Sequence, residues 1–302
     1  MPLIALQDDH ILWASGKIVD IGSLTTFMDA TGPIKVGRLI YDPNKEIKGS
    51  ISAVVIDDDH IVAGTTQGVL FRGHINDVVY PRVQVSRQKI NTLHVDKLIY
   101  VHVPDTDCTQ VFSKKLDTLF VIPWTISCIC DGWIADHRGL LLHMDTLEPQ
   151  KQFDTPITSM VITHQGYMIL GLESGEVKCF RNFQQIWSMD IAEAEVCRVL
   201  LALSPDHTTV AAVGGRWGRG VDYFIVATGH HVATEEDPFG SKYIWMRGIT
   251  FSHTGNRIFM WDDRSTFQLY TPLCGYDLIS SLFYKTNAPR SLFQKLRFKL
   301  TT

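Results

Sequence analysis

A compact unit at residues 196–233 constrains the fold more than any other part of this 302-residue chain. It contains three apolar segments, which begin at Val199, Thr208 and Val221, and the second and third are rich in β-branched and aromatic residues. The first segment is too short for a helix and ends at the turn sequence Ser204-Pro205-Asp206. The unit therefore predicts consecutive antiparallel strands joined by tight turns.

The same order of apolar strand, polar turn and second strand ending near glycine recurs along the chain. Seven such units are predicted, with starts about 30 to 50 residues apart, a period typical of stacked four-stranded sheets. They lie near residues 2–41, 51–85, 89–122, 125–153, 157–189, 196–235 and 245–284. Because such sheets bury their two apolar faces only by stacking, we expect an all-β domain at 1–284, a single closed β-propeller of about seven four-stranded blades. Six or eight blades are the alternatives.

Two turns between first and second strands resemble those of the WD40-repeat family. They are Leu203-Ser204-Pro205-Asp206 and Phe251-Ser252-His253-Thr254-Gly255, and Thr228-Gly229-His230 resembles the turn after that family's tryptophan-aspartate position. The chain departs from the family pattern in that Trp261-Asp262 closes a second strand rather than a third. The resemblance is to a divergent member, and it implies a rigid, non-catalytic scaffold that binds peptides or protein partners within a larger assembly.

Composition narrows the class of partner. Hydrophobic residues make up 45% of the chain and charged residues 20%, which is enough apolar material for a large core. The net charge of −4 gives no general attraction to nucleic acid, so no nucleic-acid partner is predicted. The first residues lack a basic region and no apolar run is long enough to span a bilayer, so an intracellular protein, cytoplasmic or nuclear, is expected. Six scattered cysteines predict reduced thiols.

Arginine and aromatic residues cluster on one class of predicted loop. In a propeller, the loops joining the second and third strands of a blade, and those joining one blade to the next, emerge at the same rim. The residues on these loops define the arginine rim: Arg87, Trp124, Arg138, Arg216, Trp217, Arg219, Tyr243 and Arg264. Because guanidinium groups pair bidentately with phosphate and carboxylate, the rim predicts an acidic or phosphorylated peptide partner. Asp136, Glu173, Asp262 and Asp263 share these loops and are expected to neutralise some arginines.

Other motifs give weaker evidence for ligand or metal binding. The glycine-rich stretch at residues 214–220 can cradle an anion, but it lacks the lysine and following helix of a nucleotide loop, and a plain hairpin loop is the alternative. No zinc-ligand spacing occurs, so neither metal nor cofactor is predicted, and Cys128 and Cys130 are expected to be buried packing thiols. The acidic triplets at 57–59 and 235–237 are expected to be solvated turns.

These observations favour a non-enzymatic interaction module. The alternatives are a substrate-recognition propeller of the ubiquitin-ligase type and a propeller hydrolase or lyase. Enzymatic propellers usually place carboxylates or metal ligands at the inner-strand ends, whereas the predicted inner strands here begin with apolar residues such as Ile51, Ile126 and Ile157.

The last 18 residues, 285–302, form a basic C-terminal tail with Arg290, Lys295, Arg297 and Lys299. Its apolar residues fit both a strand and a helix face. We expect it to pack on the propeller, by strand addition or as a short helix, and the alternative is a partner-binding or membrane-surface segment.

Overall fold

The computed structural model describes most of the chain between Leu3 and Tyr270. The described residues are 3–7, 10–15, 18–23, 37–40, 49–74, 81–191, 198–214, 220–236, 246–251, 255, 258–262 and 267–270. They form 27 β-strands and contain no helix, which confirms the all-β prediction for this part of the chain. No helix within it is therefore long and apolar enough to cross a membrane. The end of the last predicted unit, residues 271–284, and the basic tail lie outside the described residues.

The strands are grouped in two compact units, Met1–Asp131 and Gly132–Thr302. The first unit contains the strands β1 Leu3–Gln7, β2 His10–Ser15, β3 Ile18–Ser23, β4 Gly37–Ile40, β5 Ile51–Asp57, β6 His60–Thr65, β7 Val69–His74, β8 Arg82–Gln84, β9 Leu93–Val95, β10 Ile99–Val103, β11 Cys108–Phe112, β12 Thr118–Ile122 and β13 Ile126–Cys130.

The second unit contains the strands β14 Trp133–Asp136, β15 Leu140–His143, β16 Pro149–Gln152, β17 Ile157–Ile162, β18 Tyr167–Leu172, β19 Glu176–Arg181, β20 Gln184–Asp190, β21 Leu200–Leu203, β22 Thr209–Val213, β23 Gly220–Ile225, β24 His231–Glu236, β25 Met246–Phe251, β26 Ile258–Asp262 and β27 Phe267–Tyr270.

Consecutive strands pair into seven antiparallel meanders. Six sheets have four strands, in the orders β1-β2-β3-β4, β5-β6-β7-β8, β9-β10-β11-β12, β13-β14-β15-β16, β17-β18-β19-β20 and β21-β22-β23-β24, and the seventh is β25-β26-β27. We number the sheets one to seven in this order and call their successive strands a to d. This β-propeller-like pattern of separate four-stranded meanders is the one that the sequence predicts.

The hydrophobic core lies between neighbouring sheets. In the first unit, Val62 and Leu70 of sheet two pack with Val101 and Phe112 of sheet three. In the second unit one cluster joins sheets five and six, and another joins sheets six and seven. In sheets two, four, five and six the second strand is the most completely covered, as in β22, where all five residues are buried. Each sheet therefore depends on its neighbours to exclude water from both faces.

A repeated joint connects sheet two to sheet three. A β-bulge displaces Ser52 from the register between Ile51 and Ala53. Its hydroxyl donates to the carbonyl oxygens of Ile90, at 2.7 Å, and Gly64, at 3.3 Å. A Cβ atom on Gly64 would lie 2.5 Å from Cγ2 of Ile90. The glycine therefore lets the next sheet approach closely enough for the hydroxyl to reach it.

The same joint recurs between sheets five and six. A bulge displaces Thr158 between Ile157 and Ser159, and its hydroxyl donates to the carbonyl oxygens of Val199, at 2.8 Å, and Gly171, at 3.2 Å. A Cβ atom on Gly171 would lie 2.7 Å from Cγ1 of Val199. The sequence units thus repeat a specific contact as well as a strand pattern.

Sheet three differs most from its sequence prediction. Its strands β10 and β12 follow apolar, β-branched runs of the unit predicted at 89–122, whereas β11, Cys108–Phe112, has a mixed sequence that does not by itself predict a strand. In sheet two the outer strand β8, Arg82–Gln84, lies inside the predicted unit 51–85, and residues 75–80 lie outside the described residues.

Candidate interaction surface

The predicted rim loops meet in the first unit. The b–c turn of sheet two ends at Gly68, whose carbonyl oxygen accepts the backbone N–H groups of Val85 and Ser86 at 2.9 and 3.3 Å. These residues open the segment that leads from sheet two to sheet three. Gly68 has φ +74°, and a Cβ atom there would lie 2.1 Å from the carbonyl oxygen of Ser86. The two loops are therefore in direct contact on one edge of the unit.

Arg87 lies on this connecting segment. The buried Ser86 hydroxyl accepts the backbone N–H of Gln88 at 2.7 Å, which forms a tight turn with Arg87 at its exposed tip. Among the described residues, Arg87 has no salt-bridge partner. Its guanidinium group is therefore available to solvent or to a ligand.

Trp124 and its neighbour Thr125 lie on the next connecting segment, between β12 and β13. The Trp124 carbonyl oxygen accepts the Thr109 hydroxyl at 2.9 Å, while its indole N–H is buried without a hydrogen-bond partner among the described residues. The Thr125 hydroxyl donates to Asp107 at 2.7 Å. Asp107 belongs to the b–c turn of sheet three, so loops of both kinds meet here as well.

The first unit also places two exposed carboxylates on these loops, Asp105 and Asp107. The Ser86 hydroxyl lies 3.5 Å from Asp105 Oδ2, which connects this turn to the segment that carries Arg87. Neither aspartate is among the predicted rim residues, because the mixed sequence of β11 does not reveal that residues 104–107 form a b–c turn. The Asp-Thr-Asp sequence before a short β-rich segment was the available signal.

Arg138 is held by a buried carboxylate in the second unit. Asp136 is completely buried at the end of β14, and its Oδ1 accepts the backbone N–H groups of Arg138 and Leu140 at 2.9 and 2.8 Å. Its Oδ2 accepts Nε and Nη2 of Arg138, both at 2.9 Å. The Arg138 side chain is nevertheless 59% exposed. The b–c turn of sheet four therefore presents a guanidinium group in a fixed orientation.

The loops around Arg138 are tied to the segment that follows sheet four. The Gln152 side-chain amide donates to the Arg138 carbonyl oxygen at 2.8 Å, and the Phe153 N–H donates to Gly139 at 2.9 Å. Gly139 has φ +86°, and a Cβ atom there would lie 2.5 Å from the Thr155 carbonyl oxygen. In sheet five, Glu173 N–H donates to the Pro156 carbonyl oxygen at 2.9 Å. The second unit thus also brings its b–c and connecting loops together.

The structure describes three of the eight predicted rim residues. Arg87 and Trp124 lie in the first unit and Arg138 in the second, each on the kind of loop that the sequence predicts. Of the acidic residues expected to neutralise arginines, Asp136 does so with Arg138. The other five rim residues, Arg216, Trp217, Arg219, Tyr243 and Arg264, lie outside the described residues, so their placement stays a prediction.

The acidic turn at 57–59 is not wholly solvated, contrary to the sequence prediction. Asp57 is buried and forms salt bridges with Arg72, at 3.0 Å, and Lys114, at 2.6 Å. Arg72 also donates to the Lys114 carbonyl oxygen at 3.3 Å. Asp57 therefore joins sheet two to the c–d turn of sheet three, because a buried carboxylate requires compensating charge. Asp58 and Asp59 are exposed, as expected.

Two titratable groups away from these loops have pKa values shifted by burial and hydrogen bonding. Burial raises the pKa of the Cys179 thiol to about 12, so this thiol stays protonated at physiological pH. Burial alone would raise the pKa of Asp206, but hydrogen bonds from Ser204 and Thr208 outweigh it and lower the pKa. Within the described ranges, no three histidine, cysteine or acidic side chains are grouped to hold a metal ion.

This chain is similar to known proteins in fold and not in sequence. No family model and no curated protein sequence matches the chain. A chain in the crystal structure of a mitotic checkpoint complex is similar to 89% of this chain and 86% of its own length, with a TM-score of 0.70 and 7% identity. The computationally designed Ika8 protein is similar over 89% of this chain and 82% of its own, with a TM-score of 0.63 and 13% identity. At these identities the likeness supports a WD40-like propeller fold and carries no residue-level correspondence.

Proposed function

We propose that this protein is a non-catalytic interaction module, a subunit of a larger intracellular assembly, which binds an acidic or phosphorylated peptide on its arginine rim. The observation that carries the proposal is the contact between Arg138 and Asp136. The guanidinium is ordered by a buried carboxylate and yet remains mostly exposed. The fold likeness to a chain of a mitotic checkpoint complex supports a role in a protein assembly.

An ordered guanidinium is suited to anion recognition for two reasons. Its planar set of donors matches the oxygen spacing of phosphate and carboxylate groups. Because the side chain is already fixed, binding requires little further loss of rotamer entropy. Since Asp136 neutralises one positive charge, attraction to an anionic peptide must come from several arginines acting together. Arg87, Arg216, Arg219 and Arg264 are the candidates.

The proposed function requires that the seven sheets act as blades of one closed propeller at residues 1–284, because only then do loops from distant sheets converge. The seven consecutive meanders and the likeness that covers 89% of the chain support this arrangement. A closed ring is expected to unfold in a single calorimetric transition, because opening one joint uncovers apolar sheet faces. Two separate transitions, or a stable fragment after cleavage between two blades, would contradict it.

The rim itself is tested by replacing Arg216, Trp217, Arg219 and Arg264 together with alanine. Affinity purification followed by mass spectrometry compares the partners of this variant with those of the wild type. We expect loss of the main partners, since truncating a true anchor costs about 2 kcal/mol or more. Partners that stay bound to a folded variant would refute the site.

A matched control removes three cations that lie away from the rim loops. Lys97, Lys115 and Arg181 are exposed and lie at a–b or c–d turns. Their replacement with alanine is expected to leave the partners bound. Circular dichroism of both variants checks that the fold is intact.

A further inference from the structure

The outer strand of sheet three has an unusual composition for an exposed edge. β12 reads Thr-Leu-Phe-Val-Ile, and its central side chains Leu119, Phe120 and Val121 are 49%, 40% and 53% exposed. The other large hydrophobic side chains that are exposed among the described residues are Phe183 and Ile186. Exposed apolar residues are thus concentrated at β12.

Other outer strands show how this protein usually treats an edge. β8 contains Arg82 and Gln84, and β16 reads Pro-Gln-Lys-Gln. Polar, charged and proline residues at an edge prevent pairing with other chains. β12 has no charged residue and no proline within its five residues, and Thr118 is its one polar residue. Asp117 and Pro123 flank it. Such an edge is open to an additional strand.

The backbone geometry of β12 suits strand addition. Among the described residues β12 pairs only with β11, and the register is regular from Phe120 to Ile122 after a bulge at Leu119. Phe120 and Val121 project to opposite faces because side chains alternate along a strand. An added strand would therefore gain main-chain hydrogen bonds and apolar contacts on both faces.

The size of the surface decides between two kinds of occupant. The half-exposed side chains of Leu119, Phe120 and Val121 together offer roughly a few hundred Å² of apolar area. A stable pair of globular proteins buries about 1,200 Å² or more in total. Five residues of edge are therefore too little for a second copy of the chain, whereas they match an extended peptide.

Charge at the two ends of β12 orients such a peptide. Ile122 pairs with Thr109, so the C-terminal end of β12 lies beside the turn that carries the exposed Asp105 and Asp107. At the other end, the exposed Lys115 and Asp117 offset each other. One end of the edge is therefore acidic and the other nearly neutral.

We propose that the free edge of β12 binds an extended segment of a partner protein that has apolar residues at alternate positions and a lysine or arginine at the end facing Asp105 and Asp107. Main-chain pairing supplies affinity, and Leu119, Phe120 and Val121 supply selectivity for apolar side chains. The apolar side chains of this edge are separate from the arginines of the rim, although Asp105 and Asp107 lie on a rim loop. The two ligands differ in charge, so loss of one binding activity does not entail loss of the other.

The test uses a phage-displayed library of short random peptides, selected on the immobilised full-length protein. We expect the enriched peptides to alternate apolar residues next to a basic end. Their affinity should fall about tenfold or more in the Leu119→Lys/Val121→Lys double variant, because a charged edge opposes pairing. The Ile186→Lys variant is the matched control, since Ile186 is 46% exposed on the outer strand β20, and it should bind as wild type.

Hydrogen–deuterium exchange on the unmodified protein gives a second readout that does not depend on the fold of a variant. Addition of an enriched peptide is expected to slow amide exchange within β12. Failure to enrich such peptides, or equal binding to the double variant, would overturn the proposal. Two further results would overturn the proposal, because each would show that the edge is occupied by this chain itself. One is faster amide exchange in β12 after deletion of Ser291 to Thr302. The other is a wild-type dimer that dissociates in the double variant.

Discussion

The indole N–H of Trp187 donates a hydrogen bond of 2.7 Å to the backbone carbonyl oxygen of Val226. Trp187 lies on the outer strand of sheet five and its indole stacks on Phe224 of sheet six, with ring centroids 6.0 Å apart. A large apolar ring is thus buried between two sheets with its polar atom satisfied. The turn that begins at Thr228 lies against this ring and makes it a sensitive point of the fold.

Replacing Gly229 with alanine is expected to destabilise the protein by about 2–3 kcal/mol. Gly229 has φ +68°, and an added Cβ atom would lie 2.5 Å from Cγ of Trp187. Urea unfolding measures the change. Gly166→Ala is the control, because Gly166 has φ +80° but no atom lies within 4 Å of the added carbon, so only the backbone cost of about 1 kcal/mol is expected. Equal effects at the two sites would refute the steric explanation.

The Asp57→Asn variant is expected to lose about 3 kcal/mol of unfolding free energy. The substitution keeps the shape of the side chain but leaves Arg72, whose side chain is only 16% exposed, without its counter-charge. Chemical denaturation at neutral pH measures the loss. Asp59→Asn changes an exposed carboxylate two residues away and should be nearly neutral. A similar small effect at Asp57 would show that the ion-pair cluster contributes little.

Asp206 gives a stability contribution that depends on pH. Its pKa in the folded protein lies below the ordinary value of 3.8, so the unfolded chain binds the proton more readily. The contribution is therefore complete above about pH 4 and is lost as the pH falls through the folded-state pKa. Asp206→Asn should reduce stability at pH 7 by at most about 1 kcal/mol, because the carboxylate is partly exposed. The stability difference between the two proteins should shrink as the pH falls below 3.8, and a constant difference would contradict this.

Cys179 is expected to resist alkylation in the folded protein. The thiolate is the reactive form, and burial keeps the pKa near 12, so little thiolate is present at pH 8. Iodoacetamide labelling followed by mass spectrometry should leave Cys179 unmodified in the native state and modified in urea. Cys128 and Cys130, which are partly exposed and not buried as the sequence predicts, provide an internal comparison in the same digest. Native labelling of Cys179 at the rate seen in urea would refute the prediction.

Strands with strong apolar patterns could be predicted from the sequence, whereas short or mixed strands could not. β12 and the strands β22 and β23 of sheet six follow β-branched and aromatic runs closely. β11 contains Thr109 and Gln110, and it forms a strand because β10 and β12 pair with it on both sides. That stabilisation comes from residues outside the segment, so the local pattern does not contain it.

The loops that carry the candidate site could be predicted because strand order alone fixes the end of the sheet at which each loop emerges. The burial of Asp136 and Asp57 could not. Each carboxylate ends an apolar strand, and its burial depends on groups that the fold brings to it, such as Lys114 at Asp57. The exposure of β12 could not be predicted either, because its apolar sequence is also typical of a buried strand.

The Ser–Gly and Thr–Gly joints have a consequence for how sheets of this chain can be exchanged. Sheets two and five place a hydroxyl and a glycine at the same register positions, so each could form the contact that the other makes with the following sheet. The register of sheet seven puts Arg247 at the bulge and Trp261 at the position of the glycine. An arginine has no small hydroxyl group to reach the next sheet, and a tryptophan does not leave the space that the glycine leaves. A circular permutation or blade duplication that placed another sheet after sheet seven would have to supply a different contact there.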